Sequence, residues 1–406
     1  MHKEKRSLSC VLNFPVALIA VLLCASFAWA GPGERTIYEF PGGSSGLEPF
    51  GTMIFDKTGS LYGLAAGGGA NNAGAVFKLT PSETGSWTES VIYSFLSYPD
   101  YPALAFDSTG NLYGTLAGGG GNGCGIIYQL VPGSEGWTEN TVFSFNGTTN
   151  GCVPTGLVFD TATGSLFGVA SEGGAYNGGI AFALTPVEGG GWNFSVIHSF
   201  GFGTDGSYPV ASPTLDASGN LYGTTYYGGS YSDGTVFRIT YGTDGWSESV
   251  LYNFTGGDNG YASAAGVIFD RHGNLYGTTD EPGGGDDVGN VYKLTPTKGD
   301  WAIHVIHTFT GGPDGGNPSG YNLAIDGAGN LYGMTYVGGL YNYGTAYKLS
   351  PSTGGKWTET VLHAFTNGDD GGYPYSGMVL NSSGNLFGTT GAGGAYGDGV
   401  VFEVRP

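Results

Sequence analysis

Short apolar runs alternate with glycine-rich polar stretches along the chain from about residue 36 onward. The runs are rich in aromatic and β-branched residues, as in the stretch 250–254, VLYNF in one-letter code. Runs of about four to eight such residues, bounded by Gly, Pro, Asn and Asp, are typical of antiparallel strands joined by turns. The pattern therefore predicts an all-β protein made of short strands.

Four predicted strands follow one another in a fixed order. The first is a run of small and apolar residues that ends at an aspartate, as in 266–270. A tight D-x-x-G-N turn follows, in which glycine permits a positive φ and aspartate caps its own turn. The second strand, as in 274–279, leads through a long glycine-rich loop to a third strand, as in 234–239. A tryptophan opens the fourth strand, as in 246–254.

This unit occurs seven times. Its core, D-x-x-G-[NS]-L-[YF]-G, has one extra residue after Asp160 and begins with Asn381 in the last copy. The central leucines are 51–56 residues apart, at Leu61, Leu112, Leu166, Leu221, Leu275, Leu331 and Leu386. Four antiparallel strands repeated radially form a β-propeller, whereas a β-solenoid, the alternative, has shorter coils and capped ends. We predict a single seven-bladed propeller over residues 31–406.

The two ends of this chain favour a closed ring. The seventh unit ends at its third strand, over residues 400–406, and lacks a fourth. Residues 36–40, near the other end, match the fourth-strand endings 91–95 and 250–254. Tryptophan opens only six fourth strands, at Trp87, Trp137, Trp192, Trp246, Trp301 and Trp357. We therefore predict that the N-terminal strand completes the last blade.

Composition excludes other architectures. Glycine accounts for 80 of the 406 residues and charged residues for 11%, which makes long solvated helices improbable. Hydrophobic residues make up 40% of the chain and aromatic residues 14%, more than disordered chains contain. The glycines do not recur at every third position, as collagen requires.

Charge and the first thirty residues indicate an exported protein. The net charge of −20 disfavours binding to nucleic acid or to anionic membrane surfaces. Residues 1–30 have a basic start, an apolar core and a small-residue cleavage site at Ala28-Trp29-Ala30, as secretory signal peptides do. We expect cleavage there, a periplasmic or extracellular location, no membrane span afterwards, and a monomer. A transmembrane anchor and a lipoprotein modified at Cys24 are the alternatives.

The repeat resembles a known bacterial family. GNLYGT, a Gly-Gly pair, a segment close to GTVFKLTP and then W-x-E-x-V-L-Y-x-F are similar to the GloVer tandem repeat of exported, choice-of-anchor proteins. The resemblance covers residues 36–406 and implies export and propeller-like repeats, with no catalytic residues. Because Pro406 follows no apolar or sorting segment, we do not expect a surface anchor.

Tyrosines mark the candidate binding surface. In an up-and-down blade, the second-to-third loops and the blade-to-blade links emerge on one face, which carries the longer and more varied loops. A tyrosine follows a Gly-Gly pair by two residues in four of these loops, and others lie nearby: Tyr176, Tyr231, Tyr341 and Tyr396, with Tyr226, Tyr227, Tyr336 and Tyr343. These rings suit stacking on sugars or contact with a protein. Alternatively, each ring covers its own glycine loop as filler.

Acidic and amide residues recur before each first strand, at Asn150, Asp205, Asn259, Asp314 and Asp370. Carboxylates at equivalent positions near a central channel could hold Ca²⁺, with Asp205, Asp314 and Asp370 as ligands. Asp-Gly and Asn-Gly pairs also form simple turns, which is the alternative. We predict no other cofactor.

Cysteines and histidines offer two further candidates. Cys124 and Cys152 both map to the long-loop side of unit two, where they form either a disulfide or two free thiols. His198, His307 and His363 occupy a slot that holds aromatic residues in other units, which indicates packing. His304, on the same strand as His307 and expected to share its side, makes the one plausible metal or acid–base pair.

The favoured function is non-catalytic. Propeller enzymes gather acidic residues and histidines around the channel, whereas the first strands here carry small residues at Ala103, Gly156, Ala211, Gly266 and Gly320. We therefore predict an exported propeller that binds a glycan or protein partner through its long-loop face. A lyase or hydrolase acting on carbohydrates or lactones, and a purely structural envelope protein, are the alternatives.

Overall fold

The computed structural model describes residues 33–99, 103–261, 265–279, 288–318 and 322–406. The predicted leader, residues 1–30, and Gly320 lie outside these ranges. The described strands form seven separate antiparallel sheets, each with its strands in sequence order apart from the last sheet. This arrangement confirms the seven-bladed propeller. Two single 3-10 turns occur, at Gly43–Ser45 and Gly257–Asn259.

The first four blades have the following strands. Blade 1 contains Leu47–Phe55, Leu61–Gly67, Ala75–Pro81 and Trp87–Ser94. Blade 2 contains Leu104–Phe106, Leu112–Leu116, Ile126–Gly133 and Gly136–Ser144. Blade 3 contains Cys152–Asp160, Ser165–Glu172, Ile180–Pro186 and Trp192–Ser199. Blade 4 has a first strand in two pieces and contains Ser207–Pro209, Thr214–Leu215, Leu221–Tyr227, Thr235–Gly242 and Gly245–Asn253.

The last three blades repeat the plan. Blade 5 contains Ile268–Phe269, Leu275–Thr279, Asn290–Pro296 and Trp301–Thr308. Blade 6 contains Ala324–Ile325, Leu331–Thr335, Thr345–Pro351 and Trp357–Ala364. Blade 7 contains Val379–Leu380, Leu386–Thr390, Val400–Arg405 and, from the other end of the chain, Gly33–Glu39.

The N-terminal strand closes the ring, as predicted. Gly33–Glu39 pairs antiparallel with Val400–Arg405 and forms the outermost strand of blade 7. The guanidinium of Arg35 donates a hydrogen bond of 2.6 Å to a carboxylate oxygen of Glu403 across this pair. The last blade therefore contains both ends of the described chain.

An aromatic contact joins each blade to the next. The phenylalanine that follows a fourth strand packs edge-on or tilted against the third-strand aromatic residue of the following blade, with ring centroids 4.9–5.7 Å apart. All fourteen rings are buried. Phe40 on Phe77 is the contact between blades 7 and 1, which makes the aromatic ring continuous. The seven pairs are Phe40–Phe77, Phe95–Tyr128, Phe145–Phe182, Phe200–Phe237, Phe254–Tyr292, Phe309–Tyr347 and Phe365–Phe402.

The D-x-x-G turns are held by their aspartates. In blade 4, one carboxylate oxygen of Asp216 accepts hydrogen bonds from the backbone N–H groups of Ser218 and Asn220, at 2.8 and 3.0 Å. The other accepts from the Asn220 amide and from the Tyr222 hydroxyl. Although burial alone would raise the pKa of Asp216, these hydrogen bonds hold it below its ordinary value. The same turn recurs in blades 1, 2, 5 and 6.

The links between blades share an unusual backbone conformation. A non-glycine residue directly before a proline has φ between +52° and +62°, the left-handed region, and its N–H donates to a carbonyl in the preceding blade's long loop. Five links have this residue: Glu48, Val153, Tyr208, Asn317 and Tyr373. The proline then packs on the glycine that opens the preceding blade's third strand. At Gly344, φ is +91° and a Cβ would lie 2.7 Å from Pro374 Cδ, so only glycine fits.

The first strands of neighbouring blades approach closely at the axis. A Cβ on Gly156 would lie 2.6 Å from the carbonyl oxygen of Ala211 in the next blade. The residue four positions before the turn's first residue is small or neutral in every blade: Thr52, Ala103, Gly156, Ser212, Gly266, Asn322 and Gly377. We define the long-loop face as the side formed by second-to-third loops and blade-to-blade links, and the turn face as the other.

Candidate binding face

Exposed aromatic and large aliphatic side chains concentrate on the long-loop face. The described residues of this face carry most of the exposed large hydrophobic side chains: Leu96, Tyr98, Tyr176, Phe202, Tyr227, Tyr231, Tyr261, Leu340, Tyr341, Tyr375 and Tyr396. Among the other described residues, Val187 lies on a link of the turn face, Tyr241 lies near the turn-face end of a third strand, and Val196 lies on a fourth strand. Loops held on one face by a rigid scaffold commonly carry binding residues, so this face is the candidate interaction surface.

The four tyrosines predicted after Gly-Gly pairs are all more than half exposed. Their exposed fractions are 52–64%, at Tyr176, Tyr231, Tyr341 and Tyr396. A ring that served only to cover its own loop would lose most of its accessible surface. Tyr176 also contacts Phe202, from the link to the next blade, with centroids 4.9 Å apart. The exposed rings favour a binding role over filler.

Two of the other predicted tyrosines, Tyr227 and Tyr336, belong to clusters. Tyr227 is 53% exposed and packs with Tyr226 and Tyr208 in blade 4, with centroids 4.7 and 5.8 Å away. Tyr336, on blade 6, is half-buried and packs at 5.3 Å from Tyr373 and 5.9 Å from Tyr375. Both clusters lie on the long-loop face.

The second cluster forms a cleft of about 410 Å³ where blades 6, 7 and 1 meet. Tyr336, Tyr373 and Tyr375 form one side, and Phe50 and Glu48 of blade 1 form the other. We call this the tyrosine cleft. It combines ring faces with one carboxylate.

The predicted calcium ligands have other partners. In Asp205, Asp314 and Asp370, a carboxylate oxygen accepts a hydrogen bond from the backbone N–H four residues earlier, at 3.0–3.1 Å. Each carboxylate also faces the histidine seven residues earlier on the outermost strand, at distances of 2.9, 3.8 and 2.8 Å. These residues lie on three different blades at the periphery, away from the axis. Among the described residues, no group of three or more His, Cys, Asp or Glu side chains could hold a metal ion.

The histidines pack beside phenylalanines, as expected. Burial lowers the pKa of His198, and its hydrogen bond to Asp205 opposes that shift. Burial likewise lowers the pKa of His307. The strand register places His304 opposite Lys293 and His307 opposite Val291, so both histidines are on one side of their sheet. His304 is exposed, however, whereas His307 is half-buried beside Asp314.

Half-buried glutamates face these histidine–aspartate pairs from the next blade. Burial raises the pKa of Glu248 to about 8, and the charge of Asp205 adds to the shift. Burial and Asp314 raise the pKa of Glu359 to about 7. These pKa shifts could not be predicted from the sequence, because they arise between neighbouring blades.

Cys124 and Cys152 form a disulfide. It connects the second-to-third loop of blade 2 to the start of blade 3, on the long-loop face. The carbonyl of Cys124 also accepts the N–H of Val153. The bond therefore fixes one link of the candidate binding face.

A cavity of about 770 Å³ opens around the axis on the turn face. Leu157, Thr163 and Asp216 are among its lining residues. The hydroxyl oxygen of Thr52 and the amide oxygen of Asn322 are buried there without a hydrogen-bond partner in the described structure. Both lining aspartates, Asp160 and Asp216, accept hydrogen bonds within their own turns, and none of the described lining residues is a histidine that could form an acid–base pair with them.

Comparison with known proteins identifies the repeat. The model of the Gloeobacter/Verrucomicrobia repeat matches residues 26–231 and again residues 211–406. The chain belongs to this repeat family. No curated protein sequence matches it at a significant level. Within the described residues, the structure contains no helix of the length and apolarity that crossing a membrane requires.

Solved structures share the fold of this Gloeobacter/Verrucomicrobia repeat protein at low identity. One is the extracellular domain of a candidate one-component system from B. thetaiotaomicron, with 12% identity and a TM-score of 0.56, covering 91% of this chain and 39% of that one. Another is a protein from Lactobacillus plantarum, with 15% identity, a TM-score of 0.53 and coverage of 84% and 88%. A candidate 6-phosphogluconolactonase from Bacteroides uniformis has 14% identity, a TM-score of 0.51 and coverage of 84% and 89%. These likenesses show the propeller fold alone.

Differences between the repeats of this Gloeobacter/Verrucomicrobia repeat protein mark residues that the sequence analysis missed. Glu48, Phe202, Tyr373 and Tyr375 lie in blade-to-blade links, where the repeat has no common residue type. Aligning the six links that contain a proline would have shown Tyr208 and Tyr373 at one position. It would not have shown that their side chains meet strand-two tyrosines.

Proposed function

We propose that this protein is an exported, non-catalytic binding module that holds a glycan on its long-loop face. The observation that carries the proposal is the exposure of one tyrosine per blade in four separate blades of that face. Isolated rings on polar glycine loops suit a chain-like ligand that offers a flat apolar face at intervals. A protein partner would instead favour one contiguous apolar core with a polar rim.

The axial positions support a non-catalytic role. All seven carry Gly, Ala, Ser, Thr or Asn, and none supplies a carboxylate or imidazole. General acid–base catalysis requires such groups within hydrogen-bond reach of one another. The proposal of export rests on the leader pattern of residues 1–30. The disulfide between Cys124 and Cys152 supports it, because disulfides form in oxidising compartments outside the cytoplasm.

Tyrosine substitutions test the proposal. The protein is applied to a glycan array, and Tyr231→Ala and Tyr341→Ala are each compared with the unaltered chain. We expect at least about tenfold weaker binding, because each stacked ring contributes roughly 1–2 kcal/mol. Melting temperatures should be unchanged, since both rings are more than half exposed.

Tyr241→Ala is the matched control. Tyr241 is 69% exposed but lies on the turn face, so its removal should leave glycan binding intact. Equal losses for Tyr241→Ala and Tyr231→Ala would reject the assignment of the face. Binding to no glycan, together with capture of a protein that depends on Tyr231, would replace the glycan with a protein partner.

A further inference from the structure

The tyrosine cleft lies beside small residues at one position of the repeat. The fifth residue after the central leucine is Tyr226 in blade 4 and Tyr336 in blade 6, but Gly391 in blade 7 and Ala66 in blade 1. Both of the smaller residues line the cleft. The absence of two large side chains leaves the space of about 410 Å³ beside Tyr336 and Tyr373.

Three tyrosine rings line the cleft at angles to one another. Tyr336 lies at 41° to Tyr373 and at 75° to Tyr375. Tyr343 packs edge-on against Tyr373, with centroids 5.2 Å apart, and restricts that ring. The face of an aromatic ring carries partial negative charge, so several rings around one space favour a cation.

The lining also includes one acidic residue. Glu48 lines the cleft from blade 1, and its backbone is fixed at φ +52° by a hydrogen bond of 2.8 Å from its N–H to the carbonyl of Asp398. None of the described lining residues has a basic side chain. Within the described part of the chain, no ion pair involves Glu48. A net charge of −20 further favours cationic ligands over anionic ones.

We propose that the tyrosine cleft binds a quaternary ammonium group. Such a group has no N–H to satisfy and is held by ring faces and a nearby negative charge, which are what the cleft supplies. A pyranose presents hydroxyl groups around its rim and would need several hydrogen-bonding side chains. This inference rests on the proposed binding role of the long-loop face. It names the chemical class of ligand that the tyrosine cleft, one part of that face, binds.

Choline and its neutral isostere test the proposal. Calorimetric titration compares choline chloride with 3,3-dimethylbutan-1-ol, which has the same shape without the charge, at constant ionic strength. Choline should bind with a Kd of about 1 mM or tighter, and the isostere at least about tenfold more weakly. Equal affinities would show that the cleft selects only for shape and would overturn the proposal, as would no binding of choline.

Gly391→Tyr fills the cleft without removing any proposed contact. A Cβ at Gly391 would lie 3.6 Å from the Tyr373 carbonyl oxygen, which is ordinary contact, and two other blades already carry tyrosine at this position. The variant should therefore fold and lose choline binding. Glu48→Gln should weaken choline at least about fivefold while leaving the isostere unchanged.

Tyr396→Ala is the control on the same blade and face but outside the cleft. It should not change choline binding. Choline affinity that is the same in Gly391→Tyr as in the unaltered protein would place the ligand elsewhere and overturn the proposal. The proposal would also be overturned if methyl glycosides displaced choline from the cleft and if their binding were weakened by Glu48→Gln. Loss of glycan binding in Tyr231→Ala with choline binding intact would separate the two sites.

Discussion

The turn aspartates show how one side chain specifies a repeat. Asp326 accepts hydrogen bonds from the backbone of Ala328 and Asn330, and from the Tyr332 hydroxyl. Removing the Asp326 carboxylate leaves these backbone N–H groups and the Tyr332 hydroxyl without their acceptor. We expect Asp326→Ala to lower the free energy of unfolding by about 1–3 kcal/mol in urea denaturation.

Blade 7 provides the control for that substitution. Asn381 holds the equivalent turn there and accepts the backbone N–H groups of Ser383 and Asn385, at 3.0 and 2.9 Å. Asp326→Asn should therefore cost less than half as much as Asp326→Ala. Equal losses would mean that the carboxylate charge, rather than the hydrogen bonds, holds the turn.

Half-buried Glu248 makes the free energy of unfolding depend on pH. Its pKa is about 8 in the folded protein and 4.5 ordinarily, so the folded state binds the proton more tightly. The stability that Glu248 contributes is full below about pH 4.5 and is lost as the pH rises through about 8. The lowered pKa of His198 acts with the opposite sign, and its change is complete by about pH 6.5.

Glu248→Gln isolates this effect. The variant should unfold at a higher urea concentration than the unaltered protein at pH 9, and at nearly the same concentration at pH 5. If the difference in the urea concentration of half-unfolding between the two proteins were the same at pH 5 and pH 9, Glu248 would not titrate in this range.

The residue types at the candidate site were partly predictable. The loop tyrosines follow a sequence rule, two residues after Gly-Gly, and their exposure follows from their place at loop tips. The histidine–aspartate contacts, seven residues apart, were not predicted. They depend on how a link folds back on its strand, which strand periodicity does not determine.

At the level of the strand and its link, Gly344 and Pro374 connect neighbouring blades. Gly344→Ala should destabilise the fold by about 1–3 kcal/mol more than Gly354→Ala. Both glycines have positive φ, at +91° and +83°, but a Cβ at Gly354 would meet nothing within 4 Å. A Cβ at Gly344 would clash with the Thr335 carbonyl oxygen of its own blade and would lie 2.7 Å from Pro374 Cδ of the next blade. Since backbone strain is similar, the difference measures close packing around Gly344, and urea unfolding of the two variants gives it directly. Equal losses would exclude a packing contribution.

The strands were more predictable than the links. Apolar runs and the D-x-x-G turns identified four strands per blade, and the structure differs mainly in the short first strands, such as Ile268–Phe269. The left-handed residues before proline could not be predicted. Their conformation is stabilised by hydrogen bonds to the preceding blade, as from the Tyr373 N–H to the Tyr343 carbonyl, and a local sequence does not contain that partner.

The seven-bladed ring was predictable because the number of repeats can be counted without knowing the exact boundaries of each strand. Seven leucines at regular spacing, a missing last strand and a spare first strand together require closure. The tyrosine cleft was not predictable, since it arises where blades 6, 7 and 1 meet and depends on Gly391 and Ala66 being small. Closure itself creates that meeting point.

Deleting residues 33–40 tests ring closure most directly. The deletion removes the outermost strand of blade 7 and the contact of Phe40 with Phe77. Hydrogen exchange is then followed in blade 4, far along the ring from the deletion. If the closed ring stabilises every blade, the amides of strand Leu221–Tyr227 should lose protection together with those of blade 7. Loss confined to blades 7 and 1, with blade 4 as protected as before, would contradict this account.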